Sequence, residues 1–96
     1  MMASEADTLK QARQILTRLR LDTAVLHLRI EHRILYVSGR FAYPFMTDGQ
    51  ADVNYDLLHE VDRQLHLIGD VKGVEYELKN WMHNADGGWS KRRIRD

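Results

Sequence analysis

The apolar residues of this chain change their spacing three times, and that change of period constrains the fold more than any other feature. Over residues 5–20, Leu9, Ala12, Leu16 and Leu19 recur at steps of three and four, with Ile15 beside them, while Lys10, Arg13, Gln14, Thr17 and Arg18 take the other side. That pattern predicts an amphipathic helix, with Ser4 as its cap and Glu5 and Asp7 in the first turn, where the helix dipole favours acid. From residue 24 the period drops to two. Leu26, Leu28 and Ile30 alternate with His27, Arg29 and Glu31, and then Leu35, Val37 and Phe41 share one face. Residues 24–41 are therefore expected to form a β-hairpin, although the turn at Glu31–His32–Arg33 lacks the favoured Asn-Gly or Asp-Gly dipeptide. Gly39, inside the second strand, predicts a bulge or the close approach of a helix backbone.

The helical period returns over 53–68 with Leu58, Val61, Leu65 and Ile68, Leu57 beside them, Asp52 or Asn54 as the cap and Gly69 as the stop. A third alternating stretch then places Val74, Tyr76, Leu78 and Met82 opposite Glu75, Glu77 and Lys79. Between the hairpin and the second helix, residues 42–52 hold the single proline together with Tyr43, Phe45 and Met46, a composition shared by functional loops and plain connectors. The expected fold is α+β, in the order α-β-β-α-β, a three-stranded mixed sheet with both helices packed on one face. Residues 1–84 form the single domain of this reading, and 85–96, glycine-rich and then basic, form a flexible tail.

With 96 residues there is room for one core and no second one. A core of that size is marginal, and self-association is a common way to bury more surface, so a homodimer is expected. Basic and acidic side chains balance at 14 each, which argues against a dedicated nucleic-acid binder. The absence of cysteine excludes disulfides, thiolate catalysis and thiolate-held metal centres. The first residues lack the basic start and apolar run of a signal peptide, and no apolar run approaches the ~20 residues that span a bilayer, so a cytoplasmic protein is expected.

Two segments carry a family resemblance. The second strand, Ile34-Leu35-Tyr36-Val37-Ser38-Gly39-Arg40-Phe41, resembles the alternating strand ending in Ser-Gly-x-apolar of BON-type domains. Val71-Lys72-Gly73-Val74, with Leu78 and Asn80 following, is similar to the Val-x-Gly-Val entry to that family's last strand. The element order is the same, and the resemblance covers roughly residues 8–82. It implies a binding or assembly module of the kind associated with bacterial envelopes, phospholipid or partner proteins, and no enzyme.

The residues themselves offer no catalytic apparatus. There is no G-x-S-x-G and no P-loop, and Gly87-Gly88 opens no helix that could cradle a phosphate. Among the five histidines, His59 and His66 share a helix face but stand seven residues apart, too far for one metal; a solvated surface is the simpler reading. Asp56 and Glu60, four apart, read the same way. No catalytic residue, cofactor or metal is expected.

Two features remain. Lys91, Arg92, Arg93 and Arg95 make the tail a contact for an anionic partner, nucleic acid included, unless they serve only solubility. Ile34, Tyr36 and Trp81 alternate away from the core strands and are expected on the helix-free face of the sheet, with Phe45 nearby. The expected function is a small interaction or assembly module that self-associates, or binds a protein partner, through that apolar face. The alternative is a nucleic-acid-binding accessory protein that uses the tail.

Overall fold

A computed structural model describes residues 5–43 and 53–91. Ser4, Phe45, Asp52, Arg92, Arg93 and Arg95 lie outside the described residues, with most of the 42–52 segment. The fold is α+β, as the change of period predicts. Helix α1 (Glu5–Arg18) leads into a short 3-10 turn (Thr23–Val25) and then strands β1 (Leu26–Glu31) and β2 (Ile34–Gly39). Helix α2 (Tyr55–His66) is followed by β3 (Gly73–Leu78), and two short strands, β4 (Trp81–His83) and β5 (Trp89–Lys91), come last.

The main sheet has the order β1-β2-β3, with β1 antiparallel and β3 parallel to β2. One face is the core. Leu26 and Ile30 of β1, Leu35 and Val37 of β2, and Val74 and Leu78 of β3 are buried there with Ala12, Ile15 and Leu16 of α1 and Leu58, Val61 and Leu65 of α2. Period-two alternation in the strands and the three-four stripe in the helices are thus two views of one apolar layer. No helix among the described residues is long and apolar enough to cross a membrane.

Local details follow from backbone chemistry. Helix α1 ends with Arg20 in the left-handed region (φ 68°), as the Leu21 amide bonds back to the Leu16 carbonyl and the Arg20 amide to that of Thr17. This is the double closure in which glycine usually stands. Helix α2 is capped by Asn54, whose side chain accepts from the Leu57 amide at 2.9 Å. Its end is set by the tightened bonds of Leu67 and Ile68 to Gln64 and Leu65, just ahead of Gly69, which is not in the left-handed region.

The hairpin loop consists of His32 and Arg33 alone, because Glu31 pairs with Ile34. Both residues have positive φ, 50° and 66°. That is the type I′ geometry that matches strand twist, here adopted without the residues that favour it. Arg33 is tied down on its far side, its carbonyl accepting from the Lys72 amide at 2.7 Å. Gly39 sits at φ 107°, where a Cβ would lie 2.2 Å from the carbonyl oxygen of Val25, the last residue of the 3-10 turn. The close approach expected at this glycine is present.

The C-terminal part differs from the sequence reading. Strand β3 ends at Leu78, and the chain bends at 79–80 before β4 begins. Residues 89–91, assigned to a flexible tail, form β5 and pair antiparallel with β4, His83 opposite Trp89 and Trp81 opposite Lys91. The physical cause is Asn80. Its side chain, buried at 7% exposure, accepts from the Phe41 amide and donates to the Phe41 carbonyl at 3.1 and 2.7 Å. A side-chain amide thereby replaces one rung of the backbone ladder and turns the chain out of the sheet.

Candidate functional site

Opposite the helices, the main sheet is open, and its register specifies what it presents. Across the three strands the outward residues fall into rows: Glu31, Ile34 and Gly73; then Arg29, Tyr36 and Glu75; then His27, Ser38 and Glu77. A further row continues past the strand ends as Val25, Arg40 and Lys79. It is joined by the Arg40 amide bonding to the Val25 carbonyl at 3.1 Å and the Lys79 amide bonding to the Gly39 carbonyl at 2.7 Å. Ile34 and Tyr36, both expected on this face, are there and half-buried in its middle strand.

Their frame is polar. The Arg29 guanidinium lies 4.2 Å from the centre of the Tyr36 ring and 3.2 Å from the Glu31 carboxylate. Stacking over the ring covers apolar surface while leaving the charge in water. The β1 side of the face carries His27, Arg29 and Glu31, and the β3 side carries Glu75, Glu77 and Lys79. At one end, beside the carboxyl ends of the parallel strands, Val25, His27, Ser38, Arg40, Glu77 and Lys79 line a surface concavity of about 620 Å³.

Trp81 is not on this face. It is 3% exposed and packs edge-on against Tyr55, ring centres 5.4 Å apart, whereas Met82, expected toward the core, is 44% exposed. One bend reverses the side of every residue after it, because side-chain direction has a strict period of two. Trp81, His83 and Trp89 share the inner face of the β4–β5 ribbon. There Trp89 packs edge-on against Tyr76 and tilted against His83, each with ring centres 4.7 Å apart, and tilted against Phe41 at 6.1 Å. The buried ring nitrogens of Trp81 and Trp89 and Nε2 of His83 have no hydrogen-bond partner among the described residues. Ring packing, not hydrogen bonding, holds the inner face of the ribbon to the core. Lys91, at the end of β5, is exposed.

One polar cluster was not anticipated from the sequence. The Tyr76 hydroxyl donates to Oδ1 of Asp62 at 2.6 Å, and the same carboxylate lies 3.3 Å from Nδ1 of His66. Burial, and then the hydrogen bond and charge of Asp62, push the Tyr76 hydroxyl far above its ordinary range, so it remains a fixed donor. The signal was a strand tyrosine on the helix-facing side of β3, opposite a helix carboxylate. Nothing local in the sequence fixes that meeting. On the solvent side of α2, Arg63 pairs with Glu60 and holds its carboxyl down to about 2, an arrangement of an exposed helix surface. His59 is exposed, and no group of three metal-ligating side chains occurs among the described residues.

No family model, no curated protein and no solved structure matches this chain.

Proposed function

We propose that this protein is a non-catalytic interaction module that self-associates through the helix-free face of its three-stranded sheet. The observation that carries this reading is the placement of Ile34 and Tyr36. Both are set on the middle strand of a face that no described element covers, Tyr36 between Arg29 and Glu75 and Ile34 between Glu31 and Gly73. An apolar centre within a polar rim is the anatomy of a protein interface. The resemblance of the β2 and β3 segments to BON-type domains points the same way. The Asp62–Tyr76–His66 cluster does not compete as a reaction centre, because its hydroxyl is committed to Asp62 and its proton is held there.

The test is solution mass by light scattering over a hundredfold range of concentration. A mass that rises toward the dimer with concentration is expected, and Tyr36→Glu should hold the protein at the monomer mass with an unchanged circular dichroism spectrum. A monomer at every concentration refutes the reading.

A further inference from the structure

We infer that the β4–β5 ribbon opens as a unit, hinged just beyond Asn80, while the main sheet and its helices stay folded. The protein then alternates between a closed form that hides Trp81 and Trp89 and a minor open form that presents them. This device is independent of self-association through the sheet face. The ribbon is a separate two-stranded sheet, not a continuation of β1-β2-β3. Among the described residues, the last backbone bond from this end of the chain to the main sheet joins the Lys79 amide to the Gly39 carbonyl, and Asn80 follows with its clasp on Phe41. From Trp81 to Ser90 the described hydrogen bonds stay inside the ribbon: the β4–β5 ladder, Asn84 with Gly88 and Ser90, Gly87 with Asn84, and Gly88 with Asp86.

Packing of rings holds the inner face of the ribbon down. Trp81 lies edge-on to Tyr55, Trp89 and His83 lie against Tyr76, and Phe41 stands behind Trp89. Closure has a cost on the same face. Nε1 of Trp81, Nε1 of Trp89 and Nε2 of His83 are enclosed with no hydrogen-bond partner among the described residues. A polar group buried unpaired gives up its bonds to water and gains none in return. Opening hydrates all three nitrogens at once and breaks no described backbone bond of the main sheet. A two-stranded hairpin is marginal by itself, so the ordering of the ribbon depends on that ring packing. Segments tied to the rest in this way are the ones that open ahead of global unfolding.

The two forms differ in the surface they show. Closed, the ribbon keeps Trp81 and Trp89 at 3% and 6% exposure and Phe41 fully enclosed. Open, it uncovers both indoles and the rings of Phe41 and Tyr76 beneath them, a surface rich in the residue types that protein contacts favour. The ribbon is therefore a strap over the aromatic part of the core.

The chain has two tryptophans and both lie in the ribbon, so intrinsic fluorescence reads its closure, whereas the helix signal of circular dichroism reads α1 and α2. In a urea titration the fluorescence transition is expected at lower urea than the dichroism transition. Two substitutions separate the pair further. Gly87 turns the ribbon at φ 89° with open space where a Cβ would stand, so Gly87→Ala strains the ribbon alone. It should lower the fluorescence midpoint and leave the dichroism midpoint in place. Gln14→Gly weakens the exposed side of α1 and should do the reverse. In native-state hydrogen exchange the amides of Met82, Asn84 and Ser90 should share one opening, protected at least about tenfold less than those of Leu35 and Val37 and less dependent on urea than global unfolding. Coincident transitions that move together in both variants, or ribbon amides that exchange only by global unfolding, would make the ribbon part of one cooperative core and overturn the inference.

Discussion

Replacing Asn80 should cost more stability than its modest place in the sequence implies. Its side chain bonds both backbone groups of one residue, the amide and the carbonyl of Phe41, 39 residues away. In Asn80→Ala both partners stay buried beside the Phe41 ring, which is fully enclosed and packs against Tyr76 and Trp89. Each orphaned backbone group costs about 1–3 kcal/mol, less whatever entering water recovers, so a loss of about 2–4 kcal/mol is expected. For a domain of this size that lowers the melting temperature by roughly 10–25 °C.

Asn80→Asp separates the two bonds. The carboxylate can still accept from the Phe41 amide, but its second oxygen faces the Phe41 carbonyl and is repelled. Burial and that carbonyl both raise the carboxyl above its unfolded value, so the folded form binds more protons. Relative to wild type, Asn80→Asp should therefore gain stability as pH falls from 7 toward 4, because the protonated acid donates as the amide did. Urea unfolding at pH 7 and pH 4 measures this directly. A loss below about 1 kcal/mol for Asn80→Ala, or an Asn80→Asp deficit that does not change with pH, would refute the assignment of Asn80 as a two-point clasp.

The hairpin holds His32 and Arg33 at φ of 50° and 66°, a conformation costing non-glycine residues roughly 1–2 kcal/mol each. The pair His32→Asn with Arg33→Gly should gain about 1 kcal/mol by thermal unfolding, after loss of the bond from Arg33 Nε to the Asp70 carbonyl. Gly39→Ala should cost more than about 3 kcal/mol, since its Cβ would meet the Val25 carbonyl 2.2 Å away at a φ of 107°; a near-neutral result would mean the backbones are not so close. The raised Tyr76 hydroxyl contributes stability that is complete below its ordinary value of 10.0 and is lost as pH rises above it. Absorbance titration at alkaline pH should show one of the four tyrosines failing to ionise until the protein unfolds, and Tyr76→Phe should remove that lag.

The parts of this fold that were legible in the sequence are those in which one residue's environment repeats at a fixed interval. Leu26 and Ile30, Leu35 and Val37, and Val74 and Leu78 declare their face by alternation, and Leu58, Val61 and Leu65 declare theirs by the helical step. Ile34 and Tyr36 could be placed on the open face for the same reason: they are the residues between. Trp81 could not. Its side depends on whether the strand continues through Lys79 and Asn80, and that is decided by an amide meeting a backbone segment 39 residues earlier. No local window contains that partner, and once the bend is missed the period-two rule places Trp81 and Met82 on the wrong sides together.

The same bend accounts for Trp89. Behind two glycines and ahead of a basic run it read as part of a tail, yet it is buried at 6% because β4 turns its inner face toward Phe41 and Tyr76 and leaves a site for one more ring. The consequence for function is specific. Moving both tryptophans inward removes the aromatic bulk that would have made the open sheet face strongly adhesive, and leaves Tyr36 under Arg29 among acidic and basic neighbours. The open face is left with Val25, Ile34 and Tyr36 as its apolar residues, set among side chains of both charges.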